Sequence, residues 1–174
     1  MKKISENISN KLSKIKLLVM DVDGTLTDGS VYYSSEGLVL KKFSVYDGMG
    51  ISLLKQSNIL TMFLSNDSSQ IPMKRAEKLN IDFVFVGVKR KSITLTEFLD
   101  CQNIISEKVG YIGDDINDLE AIELCGFSAC PHNAMQIVKD KVDYVSEYSG
   151  GEGAVRQICE MILIAQDKPI TLIW

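Results

Sequence analysis

The chain is punctuated by short, nearly continuous apolar runs: Leu17–Met20, Ile59–Leu64, Phe83–Val86 and Val109–Ile112, with weaker ones at Phe127–Cys130 and Val142–Val145. A run with no polar alternation suits a strand covered on both faces. Between the runs lie stretches with helical spacing. Gly48–Gln56 sets Ile51, Leu54 and Lys55 one turn apart, and Ser68–Leu79 ends at Asn80, a plausible stop. Ser92–Leu99 and Asp115–Leu124 follow, the latter halted by Cys125-Gly126. Gly153–Ala165 places Val155, Ile158, Cys159, Ile162 and Leu163 on one face. Strands alternating with helices predict βαβ units, hence an α/β fold with a mainly parallel sheet in a Rossmann-like three-layer sandwich.

One region breaks the alternation. In residues 29–45, Val31-Tyr32-Tyr33 and Leu38-Val39-Leu40 flank Ser34-Ser35-Glu36-Gly37, which predicts a small β-hairpin with Gly37 at a positive φ. It stands where the first crossover helix is due, so it reads as an insertion. Its Val31, Tyr33, Leu38 and Leu40 give it one apolar face to bury. The expected organisation is a polar lead-in over 1–14, one domain over 15–166 and a tail over 167–174 whose Pro169, Ile170, Leu172, Ile173 and Trp174 suit a docking segment.

Composition narrows the function classes. The 174 residues carry 19 basic and 23 acidic groups, a net charge of -4, and no concentrated basic face, so no nucleic-acid partner is expected. No apolar run is long enough to span a bilayer, and the polar start lacks the apolar core of a signal peptide, so the expected location is cytoplasmic, with no membrane partner. Cys101, Cys125, Cys130 and Cys159 form no C-x-x-C pair and read as reduced thiols. The single histidine, His132, sits in a Pro-His-Asn turn and builds no metal site alone.

The chemistry is concentrated where strands end. Leu17–Met20 runs straight into Asp21-Val22-Asp23-Gly24-Thr25, and Val109–Ile112 into Gly113-Asp114-Asp115-Ile116-Asn117-Asp118. Ligands of open parallel sheets bind beyond the carboxyl ends of the strands. If those two strands are neighbours, Asp21, Asp23, Asp114 and Asp118 meet at one edge and repel each other unless a cation joins them. Oxygen ligands without histidine or thiolate favour Mg2+. Read singly, the first motif is also a strand-ending turn, and Asp114 or Asp115 a helix N-cap. Together they point to phosphoryl transfer: an Asp nucleophile whose charge a metal offsets, and a second carboxyl as acid and base. Ser65, after Thr61–Leu64, is placed to hold a phosphoryl oxygen, or to cap a helix. Among Lys89, Arg90 and Lys91, any one is placed to offset developing charge.

Taken in order, Asp21-Val22-Asp23-Gly24-Thr25, Ser65, Lys91 and Gly113–Asp118 resemble the four motifs of the haloacid dehalogenase superfamily over roughly residues 15–166. The resemblance implies that Asp21 is nucleophile and metal ligand. Asp23 is the acid/base and a ligand through its carbonyl, and Asp114 is the third ligand. Asp115 and Asp118 support the site, and Ser65 and Lys91 hold the phosphoryl group. Thr27-Asp28-Gly29, the hairpin, Lys42-Phe43, Asp47–Ile51 and Gly150–Arg156 are similar to the 3-deoxy-D-manno-octulosonate 8-phosphate phosphatase branch. That branch implies no large cap, a phosphorylated sugar acid as substrate, and a homotetramer assembled through the hairpins. Thr25, Asn66, Asp47, Gly48 and Arg75 are then the substrate-binding candidates.

Two departures stand out. Ser65-Asn66-Asp67 replaces the Thr-Gly-Arg common in octulosonate phosphatases, and Gly150-Gly151-Glu152-Gly153 replaces Gly-Gly-Arg-Gly. Glu152 is shared with some phosphatases of nine-carbon ulosonate 9-phosphates, the alternative substrate class. A non-catalytic subunit of an acylneuraminate cytidylyltransferase is the alternative outside catalysis. A mutase would need a cap that no segment supplies.

Overall fold

The computed structural model describes residues 5–171. Residues 1–4 of the lead-in, Leu172, Ile173 and Trp174 of the tail and the Leu38 side chain lie outside the described residues. The chain runs α1 (Glu6–Leu12), β1 (Leu17–Met20), β2 (Thr27–Ser34), β3 (Gly37–Phe43), α2 (Val45–Gln56), β4 (Leu60–Leu64), α3 (Gln70–Leu79), β5 (Phe83–Phe85) and α4 (Lys91–Gln102). It continues through β6 (Val109–Ile112), a 3-10 turn (Ile116–Asp118), α5 (Leu119–Leu124), β7 (Phe127–Cys130), α6 (Gln136–Lys139), β8 (Tyr144–Val145) and α7 (Ala154–Ala165).

Six strands form one parallel sheet in the order β5-β4-β1-β6-β7-β8. β1 is apolar throughout because both faces are covered. Leu18 and Met20 pack with α1, α2, α3 and α7, while Leu17 and Val19 pack with α4, α5 and α6. The result is the expected three-layer α/β sandwich, with the β2–β3 hairpin as its small antiparallel insertion.

The differences lie at element ends, where side-chain capping outweighs hydrophobic spacing. α2 starts at Val45 rather than Gly48 because the Ser44 hydroxyl accepts from the Tyr46 amide. α3 starts at Gln70, capped by Ser69, and stops at Asn80 in the left-handed region, φ 52°. α4 runs on to Gln102 until Asn103 turns left-handed at φ 54°. The short α6 has no counterpart in the sequence reading.

The chain itself leaves most of the hairpin's apolar residues uncovered. Val31, Tyr32, Tyr33, Val39 and Leu40 are exposed on the chain, with Tyr33 71% accessible, whereas the side chain of Lys41 is 3% accessible. The tail as far as Thr171 stays on its own chain: Lys168 donates to the Ser57 carbonyl and Gln56 to that of Thr171. All four cysteines are free thiols, two of them, Cys130 and Cys159, buried. Among the described residues no helix is long and apolar enough to cross a membrane.

Candidate active site

β1 and β6 are hydrogen-bonded neighbours, with Met20 beside Ile112, so the two acidic loops leave the sheet side by side. Asp21 follows Met20, and its amide donates to the Ile112 carbonyl. Asp21, Asp114 and Asp118 offer carboxylate oxygens all within 4.8 Å of one another.

The three carboxylates are not equivalent. One oxygen of Asp118 accepts from Lys91 (2.6 Å) and from the Tyr111 hydroxyl (2.8 Å). The other accepts from the amides of Asp114 (3.0 Å) and Asp115 (3.3 Å). Asp118 is fully buried and its bonding capacity is spent. It braces the site. Asp21 is bonded by Lys91, and Asp114 accepts from the Thr25 hydroxyl (3.1 Å), which leaves both with oxygens to offer.

The crowding sets their electrostatics. Burial, and then the charge of Asp118, hold the Asp21 carboxyl well above the usual carboxylate range despite Lys91. The same two causes push Asp114 up to about 6. A hard divalent cation between them would reverse both shifts, so the donor set fits a magnesium-like ion on Asp21 and Asp114, with Asp118 behind.

Glycines let the loops close. Gly24 has φ 88°, and a Cβ there would stand 2.1 Å from an Asp114 oxygen. A Cβ on Gly150 would stand 1.8 Å from the Gly24 carbonyl, and the Gly151 amide donates to the Thr25 carbonyl (3.1 Å). The late Gly-Gly pair is therefore packed on the first aspartate loop.

Ser65 directly follows β4, is 1% accessible, and accepts from the Asp67 amide (3.1 Å). Of the three candidate cations, Lys91 is the buried one. It opens α4 between Asp21 and Asp118, while Arg90 pairs on the surface with Glu120 at 3.6 Å and Lys89 is exposed. Asp115 is exposed and caps the 3-10 turn, accepting from the Ile116 amide (2.7 Å).

The remaining candidates scatter. The Asn66 amide donates to the Val88 carbonyl and its oxygen accepts from Asn117, so it ties loops together. Asp47 is buried and accepts from the amides of Gly153 (3.3 Å) and Arg156 (2.8 Å), capping α7 from α2. Arg75 donates to the Ser44 carbonyl (2.8 Å), stacks 5.5 Å from the Phe43 ring and covers Gly48. None of these three bonds an aspartate of the site among the described residues. Glu152 pairs with Lys42 at 3.3 Å and borders a cavity of about 380 Å3 that Tyr46, Tyr148 and Arg156 also line.

Two site residues escape the sequence reading. Tyr111 puts a hydroxyl inside an otherwise apolar strand. Lys41, on β3, bonds both oxygens of Asp23 (2.6 and 2.7 Å) and Asp67 (2.6 Å). Burial alone would lower the Lys41 pKa, but the bonds from the two carboxylates outweigh it and raise it. A signal existed: Lys41 shares strand parity with the half-buried Phe43, on the face away from Leu40 and Lys42.

A family profile described as haloacid dehalogenase-like hydrolase matches residues 40–158. The 3-deoxy-D-manno-octulosonate 8-phosphate phosphatase of Salmonella typhi is 35% identical over 95% of this chain and 88% of its own length. That of Haemophilus influenzae is 38% identical over 92% and 89%. A crystal structure of the Moraxella catarrhalis enzyme with magnesium, phosphate and the octulosonate superposes with a TM-score of 0.91, at 38% identity over 94% of each chain. Together with the aspartate loops and the sheet order, these similarities show that the chain belongs to the haloacid dehalogenase-like hydrolases.

Proposed function

We propose that this protein is a magnesium-dependent phosphatase that hydrolyses a phosphate monoester of a sugar acid, 3-deoxy-D-manno-octulosonate 8-phosphate or a related ulosonate phosphate. The observation that carries the reading is the buried Asp21–Lys91–Asp118 group beside Asp114, three carboxylates gathered within 4.8 Å of one another at the carboxyl edge of the sheet. Asp21, Asp114 and the Asp23 carbonyl would hold magnesium there, and the ion would supply positive charge against the nucleophile and the phosphate.

The chain's own residues divide the rest. An Asp21 oxygen attacks phosphorus, and the phosphorus–oxygen bond to the sugar breaks. Asp23 gives its proton to the leaving alkoxide. Asp23 then takes a proton from water, whose oxygen attacks the aspartyl-phosphate, and Asp21 is freed with release of phosphate. Lys91 holds Asp21 and meets a phosphoryl oxygen together with the Ser65 hydroxyl and nearby amides.

A second substrate reading, a nine-carbon ulosonate 9-phosphate, is favoured by the two departures. Asp67 occupies Lys41, and Glu152 occupies Lys42. The exposed apolar hairpin supports assembly into a homotetramer, and the reading places the enzyme in the cytoplasm, supplying lipopolysaccharide or other surface-glycan synthesis. The test is phosphate release with magnesium from octulosonate 8-phosphate and nonulosonate 9-phosphates. Turnover of one of them, abolished by a chelator and lowered on the order of 10³-fold or more by Asp21→Asn, is expected. Full activity in Asp21→Asn would refute the mechanism. Magnesium binding with no turnover and copurification with a cytidylyltransferase would move the chain to a non-catalytic role.

A further inference from the structure

Asp23 projects from a loop that stays open to solvent, and its side chain is 37% accessible. An acid that must meet a leaving oxygen within hydrogen-bond reach needs its carboxyl group held. Among the described residues one group bonds it: the Lys41 ammonium, which reaches both oxygens at 2.6 and 2.7 Å. The lysine stem is buried under the hairpin, with 3% of the side chain accessible.

Lys41 is in turn fixed from the far side. Its ammonium donates to Asp67 at 2.6 Å. Asp67 cannot swing away, because its carboxylate accepts from the Ser69 amide (2.8 Å) and the Ser69 hydroxyl (2.5 Å). Its own amide donates to Ser65, and its carbonyl accepts from Gly87. Ser69 is the N-cap of α3. A continuous line of bonds therefore runs from the start of α3 through Asp67 and Lys41 to Asp23. Each Asp23 oxygen keeps a further lone pair, the place for the proton given to the leaving oxygen and then taken from water.

We propose that Lys41 is a positioning residue for the acid/base step, holding the Asp23 carboxyl toward the leaving group, and that Asp67 is the fixed anchor that positions Lys41. The proposal rests on the assignment of Asp23 given above. It gives the unusual Asp67 a role, and it makes the hairpin a working part of the site as well as an apolar surface.

The test separates proton delivery from general damage. Phenyl phosphate needs a proton on its leaving oxygen, whereas p-nitrophenyl phosphate releases a stable phenolate without one. kcat/KM is measured for both esters with magnesium on wild type, Asp23→Asn, Lys41→Met, Lys41→Arg and Asp67→Asn. Asp23→Asn should depress the phenyl ester about 100-fold more than the nitrophenyl ester. Lys41→Met should shift the same ratio by about tenfold or more, Lys41→Arg should recover part of it, and Asp67→Asn should shift it about threefold. A ratio unchanged in Lys41→Met, with both esters falling equally or neither falling, while Asp23→Asn discriminates, overturns the positioning role alone. An Asp23→Asn variant that fails to discriminate overturns the assignment of Asp23 and the positioning role with it. Should Lys41→Met fail to fold, Asp67→Asn, which leaves the hairpin intact, decides: a wild-type ratio there refutes the proposal.

Discussion

The two ends of the parallel sheet carry the same residue types and use them in opposite ways. At the amino end, Asp82 precedes β5 and bonds the amide and hydroxyl of Thr61 on β4, both at 2.8 Å, with Lys55 closing the charge at 2.7 Å. Asp143 precedes β8 and repeats the device with Ser128 on β7 (3.0 and 3.3 Å) and Lys11 (2.5 Å). Each acid there has its own cation and hydroxyl. At the carboxyl end, three acids lie within 4.8 Å of one another and one buried lysine bonds two of them, Asp21 and Asp118. The comparison teaches that a satisfied carboxylate ties neighbouring strands, whereas carboxylates crowded beyond their cations wait for a ligand.

The comparison breaks most sharply at Lys91. Replacing it with Met leaves Asp21 and Asp118 buried without their cation, so unfolding of the magnesium-free protein should become easier by about 3–5 kcal/mol. Added magnesium should return part of that loss, and phosphatase activity should fall with it. A denaturant titration with and without magnesium reads both effects.

Gly24→Ala should separate activity from stability at the same end. The new Cβ meets Asp114 at 2.1 Å, so the carboxylate must move, and a shift of about an ångström costs about 100-fold in turnover. The steady-state rate should show that loss while the protein stays folded by circular dichroism.

Asp82→Asn should do the reverse, lowering stability by about 1.5–3 kcal/mol through lost charge-assisted bonds and leaving turnover alone. Its pH dependence sharpens the point. Burial raises the Asp82 pKa, but bonds from Lys55 and Thr61 outweigh it, so its folded pKa lies below the usual value. The stability it adds is therefore full above the unfolded pKa of about 3.9 and is lost as pH falls through the folded value. Unfolding curves of wild type and Asp82→Asn should converge in acid and separate toward neutral pH.

The smallest effect is expected at Asp47, which belongs to neither group. Asp47→Ala removes the cap of α7 and should cost about 1 kcal/mol, read as a lowered Tm. A role through α7 leaves KM unmoved, while a substrate contact would raise it.

How much of this was legible in the chain follows from the same physics. β1 and β6 announce themselves because strands covered on both faces are uninterruptedly apolar, and an aspartate at once after such a run must leave the sheet at its carboxyl edge. Helix limits were less visible, since Ser44, Ser69 and Asn103 decide them by local bonding rather than by spacing. Lys41 was hidden by the hairpin's apolar residues. Val31, Tyr33 and Leu40 read as a face for a neighbouring subunit, and nothing in that pattern marks the covered lysine among them. Asp47 sits in a segment that resembles the octulosonate phosphatase branch and Arg75 lies outside it; only three-dimensional contact shows their bonds running to α7 and to the start of α2.

The contact of Gly150 and Gly151 with the loop after β1 has a consequence for how the enzyme is made. The backbone of the loop after β1 is buttressed by residues translated some 125 positions later, from Gly24 and Thr25 to Gly150 and Gly151. A ribosome-bound chain lacking the last stretch can pair β1 with β4 and β6 and still have no finished catalytic loop. Hydrolytic competence should therefore arrive only when the glycine pair clears the exit tunnel.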